Sequence, residues 1–402
     1  MKLALPNMSP EVEMVLRCAR TIFDTENTED IHTLLHSDLD WVKVTRLAVR
    51  NGVAPLLYKS LLSTFPEAVP QDVLIQLKEY NLLNLQSNLY LTNELVAILK
   101  FFAENEIQTI PYKGPVLTES IYGNLGLRHF SDLDIIVHKH DVKNAKEVLL
   151  SQGYKLTWPK IQLSEKQEIS HIREKYNYQF IREDDGVIVE LHWTVTPNYF
   201  SFPQDSEWLW QRLELVTFSG KPVFTFSPED YLLILCVHGG NHCWIQLNWI
   251  CDINELIQKY TSLNWDRLID DSNTQGCERM VLLGLLLAHE LFETDLPDVI
   301  WESLKNQPEV KSLGRQVISK FLSNSWIGSG FFEIPRFHLK ARDNLSDRWR
   351  YCLHLLGPSS KDWAFITLPE SLEFLYYLIR PLRLGIEHGL VPMKHKIKKI
   401  ID

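Results

Sequence analysis

The run Ser131-Asp-Leu-Asp-Ile-Ile-Val137 constrains this chain more than any other segment, because it sets two acids one residue apart inside an apolar stretch. A strand repeats every two residues, so Asp132 and Asp134 share one face while Leu133, Ile135 and Val137 line the other. Two parallel carboxylates at that spacing repel unless a cation lies between them. Hard divalent ions such as Mg²⁺ take oxygen ligands, usually a few carboxylates together with substrate phosphates. A solvated strand with alternating acids has the same pattern, so the surrounding parts must decide between the two.

Upstream, Ile107 to Tyr112 reads as a short strand, followed by Lys113-Gly114-Pro115 and a helix to about Tyr122. Proline suits the first helical turn, and the glycine before it lets a phosphate approach unpaired N–H groups. Downstream, Asp141 to Gln152 reads as an amphipathic helix stopped at Gly153. Lys175 to Arg182 and Val187 to Trp193 then read as two strands around Asp184-Asp185-Gly186, whose Asp-Gly step signals a hairpin. The second of these carries Glu190 between Val189 and Leu191. A carboxylate inside an apolar strand is costly without a cation or donor, which makes Glu190 a candidate third ligand. His192 shares its face and could orient an acceptor or a phosphate, or be a hydrogen-bonded core histidine. Trp193 points the other way and reads as core.

The flanks are helical. From Pro10 to about Asn105 apolar residues recur every three or four positions, with a turn marked by Pro66 and Pro70. From Ser227 the chain is again mostly helical, with breaks near 262–264, 295–297 and 357–360. The predicted fold is α+β: a small mixed sheet at 106–226 between helical regions at 1–105 and 227–402. Val281 to Phe292 is too short to span a bilayer and reads as a core helix. The six cysteines form no C-x-x-C pair and the first residues lack a secretory h-region, so reduced thiols and a cytoplasmic location are expected. A net charge of -10 argues against DNA as partner. The basic tail Met393 to Ile400 reads as a solvated helix end, and Arg380 with Arg383 as groups that cap or pair with local acids.

His238 and His242 stand four apart on a predicted helix, but the sequence between them is Gly-Gly-Asn and lacks the glutamate of a zinc protease. The two glycines are expected to bend that helix or let it pack closely against the sheet. P-loop, dinucleotide-binding and nucleophile-elbow motifs are absent from the sequence.

Lys113-Gly114, Arg128, Asp132-Leu-Asp134 and Val189-Glu-Leu-His-Trp193 together resemble the DNA polymerase β type nucleotidyltransferase superfamily, in particular its bacterial family of largely uncharacterised members. The likeness extends into Leu235 to Asp252 and the late Leu368-Pro369 and Arg380 to Arg383 segments. Where the wider superfamily reads Gly-Ser or Gly-Gly, this chain has Lys-Gly, as in the narrower family.

The resemblance implies that Asp132, Asp134 and Glu190 are catalytic and hold two Mg²⁺ ions. It also implies that Lys113, Gly114 and Arg128 contact the phosphates of an NTP. His192, His238, His242 and Asp252 are assigned to the substrate cleft. The implied reaction moves a nucleoside monophosphate from an NTP to a hydroxyl, amine or phosphate of a small-molecule or peptide acceptor, with release of pyrophosphate. The alternatives are a catalytically silent nucleotide-binding protein on the same fold, and a toxin-antitoxin type enzyme acting on a protein or tRNA.

Overall fold

The computed structural model describes residues 8–160, 163–197, 199–200, 202, 207–323, 333–357, 362, 365–366, 368 and 370–385. The basic tail and Pro369 lie outside them. Five helices open the chain: α1 (Pro10–Cys18), α2 (Thr25–Leu35), α3 (Trp41–Arg50), α4 (Ala54–Thr64) and the 34-residue α5 (Gln71–Glu104). Asp24 and Asp40 cap α2 and α3 by accepting from the Asn27 and Lys43 amides, as short acidic side chains do at helix starts.

The α/β segment comprises β1 (Thr109–Tyr112), α6 (Gly114–Leu117) continued by a π turn (Thr118–Tyr122), β2 (Asp132–Val137), α7 (Val142–Ser151), β3 (Lys155–Trp158), α8 (Glu165–Glu174), β4 (Asn177–Ile181), β5 (Ile188–His192), α9 (Glu207–Trp210), and a hairpin of β6 (Glu214–Phe218) and β7 (Lys221–Thr225). Five strands form one mixed sheet in the order β1-β2-β5-β4-β3. Within it β2 and β5 are parallel, and the other neighbours antiparallel.

The period-two pattern divides this sheet into a dry face and a functional face. Leu133, Ile135 and Val137 of β2, Val189 and Leu191 of β5, and Tyr178 and Phe180 of β4 pack under α5 and α7, against Leu95, Ile98, Phe102, Ala145 and Leu149. The opposite side chains, Tyr112, Asp134, Glu190 and His192, face the first two of the remaining helices. The remaining helices are α10 (Pro228–Asn241), α11 (Asn248–Lys259), α12 (Trp265–Thr274), α13 (Glu278–Phe292), α14 (Asp298–Lys305), α15 (Pro308–Leu322), α16 (Glu333–Ala341) and α17 (Leu345–Leu356), with a last helix at Tyr376–Gly385. One core runs from Val12 of α1 through α10, α11 and α13 to Ala341 of α16, and includes Ile110, Tyr112 and Ile136 of the sheet.

The glycines of α10 act differently from the expectation. A Cβ on Gly239 would stand 2.4 Å from the Trp244 indole and one on Gly240 would stand 3.2 Å from Met280, so they admit a tryptophan and a neighbouring helix rather than the sheet. α13 lies buried along almost its whole length, as expected. No described helix is long and apolar enough to cross a membrane. All six cysteines are free, and five are buried.

Candidate active site

Parallel pairing of β2 with β5 sets Asp134 directly opposite Glu190, and Tyr112 of β1 pairs with Asp134 from the other side. A cavity of about 340 Å³ opens over this face, lined by Lys113, Gly114, Arg128, Asp132, Asp134, Glu190 and His192 from the core and by His238, His242 and Trp249 from the C-terminal helices. Strands separated by more than fifty residues thus bring the acids to one place, and α10 and α11 form the far wall.

Oxygen or nitrogen atoms of Asp134, Glu190 and His192 all lie within 4.8 Å of one another, a spacing able to hold a metal ion. Asp132 lines the same cavity but stands outside that cluster. His192 Nε2 is 3.0 Å from Asp134 Oδ1 and 3.3 Å from Glu190 Oε2, and the Lys113 ammonium is 3.0 Å from the same Asp134 oxygen. Two amides of β4 complete the support, Asn177 donating to Glu190 Oε2 at 3.1 Å and Gln179 to Oε1 at 3.3 Å.

The charges follow from these contacts. Burial pushes the Asp134 carboxyl up, but Lys113 and His192 outweigh it and hold the group at about 2. Glu190 is likewise raised by burial and brought below its ordinary value by the His192 hydrogen bond and charge. Burial opposes protonation of His192, yet its two acidic neighbours carry it above the usual histidine range. Asp132 accepts no such hydrogen bond among the described residues: burial, then repulsion by Asp134, push it up to about 6 against the pull of Lys113. Three carboxylates lining one cavity and raising one another's cost of ionisation are a set that fits a hard divalent cation, which would discharge that repulsion.

Lys113 reaches its position through an unusual backbone. Its φ of 57° with ψ of -154° is a conformation that residues with a Cβ rarely adopt, and Gly114 follows at φ 44°. The Tyr231 hydroxyl of α10 accepts the Lys113 N–H at 2.9 Å and so fixes the turn from outside the sheet.

Arg128 lines the cavity while its guanidinium makes a bidentate pair with Asp252 of α11, Nε to Oδ1 at 2.8 Å and Nη2 to Oδ2 at 2.9 Å. Tyr122 donates to the same carboxylate at 3.0 Å. Burial opposes the Arg128 charge, and Asp252 more than compensates. Asp252, expected among the cleft residues, is fully buried behind Arg128 instead of on the cavity surface. His238 and His242 do reach the cavity, their rings 4.6 Å apart and each within 5.5 Å of Trp249. Burial, followed by the Lys113 charge, lowers both, His242 to about 4. Trp193 is core, its ring N–H bonded to the Lys175 carbonyl. Arg380 and Arg383 both pair with buried Asp362, away from this cavity.

The sequence reading missed Tyr231, Asn177 and Gln179. The two amides were open to discovery, since on a strand over 175–182 they alternate onto the face that Glu190 uses. Tyr231 carries no such signal, being 118 residues from the amide it holds.

A family model described as uncharacterised nucleotidyltransferase matches residues 37–293, more than half of the chain. The chain belongs to this nucleotidyltransferase family. None of the curated proteins matches it. Among solved structures, the antibiotic-resistance factor ANT(2'')-Ia in solution is similar over 46% of this chain and 91% of its own, at 12% identity and a TM-score of 0.32. An antigenic nucleotidyltransferase-like protein from Paracoccidioides brasiliensis is similar over 55% of this chain and 89% of its own, at 16% identity and a TM-score of 0.30. The nucleotidyltransferase family model spans every acid of the site, the Lys113 turn and the α10 to α11 wall.

Proposed function

We propose that this nucleotidyltransferase moves a nucleoside monophosphate from an NTP to a small-molecule or peptide acceptor and releases pyrophosphate. The observation that carries the reading is the opposition of Asp134 and Glu190 across parallel strands, in one cavity with Asp132 and Lys113. Asp132, Asp134 and Glu190 would hold Mg²⁺, two ions by resemblance, which when bound lowers the pKa of the acceptor hydroxyl and neutralises phosphate charge.

Every other role falls to the chain. Lys113 holds Asp134 in the absence of nucleotide and contacts the phosphates in its presence, with the Gly114 amide beside it. Arg128, anchored by Asp252, presents its edge to the same phosphates without needing to reorient. Glu190, braced by Asn177 and Gln179, assists removal of the acceptor proton. His238, His242 and Trp249 line the acceptor side, and the absence of a free cation among them favours a hydroxyl or amine acceptor over a phosphate one.

The test incubates the protein with Mg²⁺ and α-labelled NTPs across an acceptor panel, following pyrophosphate, with Asp132→Asn alongside. The variant should lose turnover while its melting temperature stays level or rises, because the substitution removes a strained charge. Equal turnover by variant and wild type would take Asp132 out of the chemistry.

A further inference from the structure

His192 lines the cavity yet is only 1% exposed, and its Nδ1 meets no hydrogen-bond partner among the described residues. All its polar contact is through Nε2, which faces Asp134 Oδ1 at 3.0 Å and Glu190 Oε2 at 3.3 Å. Carboxylate oxygens at those distances cannot face a bare lone pair, so Nε2 carries the proton and shares it between two acids on different strands. The ring that does this is itself fixed. Tyr112 meets it edge-on at 5.3 Å and Tyr176 flanks it at 5.6 Å. It also follows Glu190 by two residues on β5, so strand geometry alone puts it on the acids' side of the sheet.

We propose that His192 is a positioning residue for the metal site, a shared N–H that locks the carboxylates of Asp134 and Glu190 into the pair of rotamers a divalent cation needs. The inference rests on the reading of these acids as metal ligands. The consequence is directional. With Oδ1 of Asp134 committed to His192 and Lys113, Oδ2 is the oxygen left for the ion. Without His192, Lys113 still holds Asp134 and the Asn177 and Gln179 amides still hold Glu190, but no shared donor sets the two acids relative to each other, so a cation must oppose their repulsion alone. Groups that orient metal ligands in this way typically contribute about 10- to 100-fold to metal affinity.

The experiment is a titration of the full chain with Mn²⁺, without nucleotide, read by electron paramagnetic resonance, in wild type, His192→Leu and His192→Gln. Glutamine keeps an N–H donor near the place of Nε2, and leucine keeps the volume alone. Wild type should bind Mn²⁺ without a directly coordinated nitrogen in its spin-echo modulation. His192→Leu should bind about 10- to 100-fold more weakly, with His192→Gln recovering most of that loss. Thermal unfolding of each variant separates a folding defect from a metal defect. Three results would overturn the proposal: unchanged affinity in His192→Leu, no Mn²⁺ site in wild type, or nitrogen coupling showing His192 to be a ligand itself. Tight Mn²⁺ binding that depends on His192 in a protein that transfers no nucleotide would instead remove the enzymatic reading and leave this one standing.

Discussion

At the scale of single residues, the site is built from pairs whose members differ in how far the sequence reveals them. Asp132, Asp134 and Glu190 were legible because strand alternation fixes a face from local sequence alone. The partner of Arg128 was not, because Asp252 lies 124 residues away and only the tertiary fold brings it there. That pair yields a stability prediction. Removing one member of a buried pair leaves the other charged and desolvated, so Asp252→Ala should cost about 3–5 kcal/mol in urea unfolding. A loss below about 1 kcal/mol would mean that water reaches Arg128. Glycines supply a contrast at the same scale. Gly239→Ala forces a methyl into the Trp244 indole, an overpacking that costs about 1–3 kcal/mol, with no flexible side-chain tip to yield. Gly123 has nothing within 4 Å and only its φ of 65° to lose, so Gly123→Ala should be the milder change, about 1 kcal/mol. Reversal of that order in paired denaturation curves would contradict the packing of α10 described above.

At the scale of elements, α5 does more than cover the sheet. Its buried Asn88 donates to the carbonyls of Leu125 at 2.6 Å and Arg128 at 2.7 Å, and Asn84 one turn earlier donates to that of Gly126 at 3.2 Å. The irregular loop leading into β2 therefore finds its missing hydrogen bonds on a helix, and Arg128 is aimed from both ends. Asn88→Leu keeps roughly the same volume and strands two carbonyls, a loss of about 1–3 kcal/mol. Amide exchange over 124–131 should accelerate more than exchange in β5; a uniform change across the molecule would refute a local role. The element pattern also explains what sequence reading missed. β3 is four residues of half-exposed edge strand, too short for alternation to register. The β6–β7 hairpin turns at Ser219-Gly220, a Ser-Gly step that does carry a hairpin signal, but its strands are largely exposed and each buries only its last residue. The helical flanks, by contrast, were readable because each buries a stripe at three- and four-residue spacing.

At the scale of the whole molecule, helices from both ends of the chain share one core, and buried histidines are among the groups that tie its parts together. His338 of α16 donates from Nε2 to the Asn241 carbonyl of α10 at 3.0 Å and accepts at Nδ1 from the Tyr351 hydroxyl of α17 at 3.0 Å. Both nitrogens are used, and only the neutral ring can use them in this way. Burial, reinforced by the Arg342 charge, accordingly brings His338 down to about 4. In the unfolded chain the same group titrates near 6.5, so between about 6.5 and 4 the unfolded state holds a proton that the folded state lacks. Stability from this residue is therefore complete above that window and is lost as pH falls through it, at about 1.4 kcal/mol per pH unit for one proton. Other groups act in the opposite sense. Asp343, raised to about 6 by burial, favours the folded state as pH drops, and His192 does so through its acidic neighbours. The net profile is thus a sum of opposed slopes, and the decisive measurement is a difference. Unfolding free energies of wild type and His338→Gln, compared from pH 7.5 to 4.5, should converge on acidification, because glutamine keeps the donor to Asn241 but has no proton to gain. Parallel profiles would mean that His338 takes up its proton in the folded protein as readily as in the unfolded chain, and its bond to Tyr351 would then have to be redrawn below about pH 6.5 with the hydroxyl accepting.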